Sequence, residues 1–189
     1  RTEEGEWVRD DQTFADAIDK YETVFRKGEE GKYYTESMFQ LAWTHYKLAA
    51  IDPTHEEPAL QLFTVLLDDS EKILQESGRE SDFAPDARLN MARTFADIAD
   101  KHDLEPVEVA EDYFSRVGPR EWERDIYFEL AEVLAGCVPE PEECPETKRN
   151  RGLYMIDEGI RVYQKLQNDE RWLTEPDNPR YQMKLIWLL

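Results

Sequence analysis

Basic residues, cysteine and long apolar runs are all scarce in this chain of 189 residues, and each scarcity removes a class of function. Lys and Arg number 23 against 43 Asp and Glu, a formal net charge of -20. Nucleic-acid phosphates are held by clustered Lys and Arg, so this balance argues against a nucleic-acid partner. It argues equally against anionic membrane surfaces, and is compatible with a basic partner or with solubility alone. No apolar stretch approaches the roughly 18 residues that a membrane-spanning helix needs. Strand markers are thin, and no alternating run of four or more residues stands out.

The two cysteines, Cys137 and Cys144, share one proline-rich loop, Gly136 to Pro145. Two readings stay open for them. A bridge suits an oxidising compartment and, closing so short a loop, adds about 2–3 kcal/mol at most. The other reading is two free thiols in an exposed loop. Zinc is not expected there, given the spacing and the want of a nearby histidine.

Histidine is scarce too, with three residues. His45, His55 and His102 read as scattered. His45 is expected as a packed or rim residue, and His55-Glu56-Glu57 lacks the H-E-x-x-H pattern of zinc proteases. Asp68-Asp69 and Glu140 to Glu146 lack the alternation of an EF-hand and read as solvated acidic surface. There is no glycine-rich phosphate loop and no Gly-x-Ser-x-Gly element. No residue set argues for catalysis, and neither a cofactor nor a metal is expected.

What the sequence does contain is helix-forming composition with apolar residues three and four apart. Tyr34 to Leu67 shows it best. Phe39, Leu41, Ala42, Trp43 and Tyr46 lie in one amphipathic run, Asp52-Pro53 breaks it, and Ala59, Phe63 and Leu66 mark a second run. Two helices joined by a short loop pack antiparallel. Before this hairpin, Phe14, Ala17, Ile18, Tyr21, Val24 and Phe25 form an apolar face, preceded by a capping Asp10 or Asp11 and ended by Gly28 to Gly31. After it, runs around Leu89 to Ile98, Val107 to Val117, Trp122 to Leu134 and Leu153 to Leu166 predict further helices. An eighth begins at Arg180 and stops within the apolar run Met183 to Leu189. Arg1 opens directly into charged sequence. Together these ends lead us to expect a piece of a longer protein, organised over residues 1–189 as a single helical-repeat domain of about eight helices.

The runs repeat. Ala17, Tyr21 and Val24 share a spacing with Ala59, Phe63 and Leu66, with Ala110, Phe114 and Val117, and with Gly159, Tyr163 and Leu166. The alternate helices carry Phe39-x-Leu41-Ala42, Leu89-x-Met91-Ala92 and Phe128-x-Leu130-Ala131. This pattern resembles the tetratricopeptide repeat (TPR) family, whose helix–turn–helix unit pairs a Leu-small first helix with a small-x3-aromatic second helix. The units here recur at 42, 51 and 49 residues, longer than the family's roughly 34, with the excess in the loops. The resemblance covers most of the chain and implies an all-α, TPR-like α-solenoid of antiparallel helix pairs. The wording FQLAWTHYKLA further resembles bacterial cell-envelope TPR proteins, such as BamD-like outer-membrane assembly lipoproteins and components of motility or secretion machines. It implies a cell-envelope, periplasmic location, with the cytoplasm as the alternative.

TPR domains bind protein or peptide partners on a concave face lined by the first helix of each pair. The resemblance puts Glu36, Phe39, Trp43, Tyr46 and Lys47 there in one unit, Asp86, Leu89, Arg93, Ala96 and Asp97 in the next, and Asp125, Phe128, Glu132, Ala135 and Gly136 in the third. The Lys and Asn of a carboxylate clamp are replaced by Phe39 and Trp43, so no clamp for a C-terminal carboxylate is expected. The implied contact residues are Phe39, Trp43, Tyr46, Lys47 and Arg93, set against packing of the aromatics between helices. The expected function is a non-enzymatic interaction scaffold. Its rivals are a non-catalytic arm of a multidomain enzyme or sensor, and a small-ligand or glycan receptor.

Overall fold

The computed structural model describes residues 11–26, 33–135, 159–162, 164–166 and 168. Among these the chain is all-helical, without strands. Six α-helices follow in order: α1 Asp11–Phe25, α2 Tyr34–Ala49, α3 Glu56–Ser77, α4 Ala84–His102, α5 Pro106–Val117 and α6 Glu123–Ala135. A 3-10 turn, Pro53–His55, stands between α2 and α3, and residues 159–162, 164–166 and 168 are helical. The cysteine loop with Cys137 and Cys144, the first ten residues and the expected eighth helix lie outside the described residues.

The helix ends follow local chemistry. After α2 closes, the Asp52 carboxylate accepts from the Thr54 amide at 3.0 Å and the Thr54 hydroxyl at 2.7 Å. Pro53 then opens the 3-10 turn, its fixed φ and missing N–H suiting a first position. The break expected at Asp52-Pro53 is therefore a capped turn rather than a bare stop. Helix α3 starts at Glu56, two residues before Pro58, and so keeps that proline in the first turn, where an amide would have no helical partner. Helix α4 carries Pro85 in its first turn and closes on Asp103 in the left-handed region, at φ 56°. Helix α5 opens on Pro106 and closes on Gly118 at φ 83°.

The chain divides into two compact units, Arg1–Leu66 and Leu67–Leu189, with the boundary inside α3. In the first, α1 packs on α2 and α2 packs on the 3-10 turn. Met38, Leu41, Ala42, Leu48 and Ala49 are buried along one face of α2, three, four or seven residues apart. Ala59, Leu60, Phe63 and Leu66 are buried on the first half of α3, and the Phe63 ring lies 6.4 Å from that of Phe39.

In the second unit, α4 packs on both α5 and α6. Phe114 is the hub of an aromatic cluster there. Its ring centre lies 5.9 Å from Phe95, 5.8 Å from Tyr113, 5.9 Å from Trp122 and 5.8 Å from Tyr127. Edge-on pairs of this kind add about 0.5–1.5 kcal/mol each beyond the area they bury. Small residues let the backbones approach: Ala92, Ala96, Ala110 and Ala131 are all buried. Further along, Arg161 pairs with Glu105 at 3.3 Å and Lys165 pairs with Glu111, tying the helical residues beyond 159 to α5.

Candidate functional site

The stripe Phe39, Trp43, Tyr46 and Lys47 runs along one side of α2 at intervals of four, three and one. It begins in the core and emerges into solvent. Phe39 is 9% exposed and packs on Phe63, so its ring is core, the outcome set against contact duty in the sequence. Trp43 is 38% exposed. Tyr46 is half-buried and Lys47 exposed. The Lys47 ammonium stands over both rings, 5.3 Å from the centre of Trp43 and 4.9 Å from that of Tyr46. A cation so placed is attracted by both aromatic quadrupoles, by about 0.5–1 kcal/mol each at an exposed site. The result is a small amphipathic shelf, apolar in its rings and positive at its rim, in a chain whose net charge is -20.

Arg93, the fifth expected contact residue, is exposed on α4 in the second unit. Of the remaining implied groove positions on α4 and α6, Ala96 and Phe128 are buried, Leu89, Asp125 and Glu132 half-buried, and Asp86 and Asp97 exposed. The side chain of Ala135, and Gly136 as a whole, lie outside the described residues.

A second feature was missed in the sequence. His45 and His55, read there as scattered, meet in the first unit. Their Nδ1 atoms are 2.8 Å apart and their ring centres 4.9 Å, with the rings tilted by 42°. One ring must donate and the other accept. Burial pushes the His45 pKa below its ordinary value, the neighbouring His55 lowers it further, and Glu22 on α1 partly opposes both. A signal for this contact existed. His45 belongs to the inner stripe of α2 with Leu41, Ala42, Leu48 and Ala49, and a capped proline turn folds the following residues back onto that stripe.

Beside the pair lies a cavity of about 310 Å³ lined by Ala15, Ile18, Leu48, Ile51, Asp52 and His55. Its walls are mostly aliphatic, with Asp52 and His55 as the polar members. Among the described residues, no group of three or more His, Cys, Asp or Glu is placed to hold a metal ion, and no helix is long and apolar enough to cross a membrane. Comparison with protein-family models and with curated proteins finds no match for this chain.

Proposed function

We propose that the chain is a TPR-like α-solenoid acting as a non-enzymatic interaction scaffold, with the shelf of Trp43, Tyr46 and Lys47 as its contact surface for a protein or peptide. The observation that carries the proposal is the exposure of Trp43 at 38%, while Phe39, Phe63, Phe95, Tyr113, Phe114, Trp122 and Tyr127 are buried. Tryptophan beside a cation and a second ring is the composition of binding hot spots, where anchors pair large contact area with a polar edge. The repeat reading is supported by the packing of α4 on α5 and, one helix further, on α6. Stacked helix pairs bring first helices together in this way. It is supported also by the burial of Leu41-Ala42, Met91-Ala92 and Leu130-Ala131 at matching positions.

The test is selection of a random peptide library on the immobilised wild-type chain, followed by titration of the enriched peptides. Binding at micromolar strength that weakens on Trp43→Ala by a factor of roughly 10–30, as loss of a hot spot worth about 1.4–2 kcal/mol implies, supports the proposal. Failure of any peptide to enrich, or equal binding to Trp43→Ala, counts against it.

A further inference from the structure

We propose that His45 and His55 together bind one divalent late transition-metal ion, with Cu²⁺ preferred over Zn²⁺. The two Nδ1 atoms approach to 2.8 Å from separate elements, α2 and the 3-10 turn. Metal–imidazole bonds of about 2.0–2.1 Å put two nitrogens about 2.9 Å apart when they sit cis at a right angle, and about 3.3 Å apart at a tetrahedral angle. The observed separation fits the cis positions of a square-planar or tetragonal ion, the geometry of Cu²⁺ and Ni²⁺, and falls short of the tetrahedral spacing that Zn²⁺ takes. The hydrogen bond aims the two nitrogens at each other, so each ring must swing by about 45° to turn its lone pair toward a common ion in the cis arrangement.

The proton balance is simple. In the neutral pair one ring carries hydrogen on Nδ1 and donates it to the other. On metal binding that ring moves its proton to Nε2, so both Nδ1 lone pairs face the ion and no net proton leaves the protein. The accepting ring already carries its hydrogen on Nε2 and does not change. The cavity beside the pair is lined by His55 and also by Asp52, which puts a carboxylate on the same wall. No third protein ligand stands among the described residues, so water fills the remaining positions and the affinity is that of a two-imidazole chelate.

The test uses the full chain with Cys137→Ser and Cys144→Ser, which removes competing thiol ligands. Calorimetric titration with CuCl₂, NiCl₂ and ZnCl₂ near neutral pH is compared with the same chain carrying His45→Gln or His55→Gln, each checked for native helicity by circular dichroism. One Cu²⁺ per chain, bound more tightly than Zn²⁺ and weakened at least about tenfold by either substitution, supports the site. Electron paramagnetic resonance of the Cu²⁺ form supplies a readout that does not rest on the variants folding: hyperfine structure from two imidazole nitrogens is expected. Copper binding unchanged by both substitutions, a spectrum with only oxygen or one nitrogen in the equatorial plane, or no binding at all overturns the proposal.

Discussion

Asp68 on α3 accepts a hydrogen bond from the indole Nε1 of Trp122, 3.0 Å away and 54 positions later in the chain. The same carboxylate stands 3.1 Å from Nε of Arg120. One acidic side chain thus anchors the α5–α6 connection, with Trp122 buried beneath it. Asp68 was read in the sequence as solvated acidic surface; it is only half-buried, but its carboxylate holds two donors. Asp68→Ala leaves a buried indole N–H without its acceptor and is expected to cost about 1–3 kcal/mol. Asp68→Asn keeps an acceptor oxygen and loses mainly the ion pair, worth about 0–1 kcal/mol at this exposure. Urea midpoints measure both; equal losses for the two variants would show that the indole bond contributes nothing.

The histidine pair makes stability depend on pH. The folded-state pKa of His45 lies below its ordinary value, so below about pH 6.5 the unfolded chain binds more protons than the folded one. The stabilising contribution is therefore complete above that pH and is lost as pH falls through the lowered value. Protonating both rings also sets two N–H groups against each other at 2.8 Å. Relief of carboxylate repulsion on acidification acts on every variant alike. In buffer containing EDTA, the wild-type melting temperature should fall more steeply than that of His45→Gln between about pH 7.5 and 5. Parallel curves would refute the coupling.

Two helix ends should respond in opposite directions to their backbone angles. Gly118 sits at φ 83° and ψ 168°, a region that side chains with a Cβ almost never occupy. Gly118→Ala is expected to destabilise by about 1–3 kcal/mol, although a Cβ would meet nothing closer than Arg120 at 3.6 Å. Asp103 holds φ 56° and ψ 46°, a left-handed conformation that glycine adopts freely. Asp103→Gly should therefore be neutral or stabilising by up to about 1 kcal/mol. Thermal denaturation of the two variants gives both signs; a loss at Asp103→Gly as large as that at Gly118→Ala would show that the angles are not what governs these ends.

How far the sequence could be read differs between helices and contacts. Helices α2 and α3 were legible because apolar spacing and a proline break are local signals; Leu41, Ala42, Ala59 and Phe63 are all buried where periodicity placed them. Asp52-Pro53 marked an end for the same reason. The left-handed backbone of Asp103 has no such local marker. What escaped was non-local. Nothing in the spacing of Asp68 and Trp122 announces a hydrogen bond, and His45 and His55 looked unrelated because a ten-residue separation crosses a turn whose path the periodicity does not describe. On α2, the pattern put Phe39 and Trp43 on one stripe. Which ring is core and which meets solvent depends on where Phe63 lies, a tertiary fact.

Trp43 is exposed, and proposed for binding, while Phe39, four residues before it, belongs to the core. Paired measurement of peptide affinity and melting temperature on Trp43→Ala and Phe39→Ala separates the two roles. Phe39→Ala should lose about 3 kcal/mol of stability, as truncation of a buried phenylalanine does. Trp43→Ala should lose affinity for the library-selected peptides by a factor of roughly 10–30, with its melting temperature close to wild type. A Trp43→Ala chain that binds those peptides as wild type does, and melts far below it, would contradict the claim.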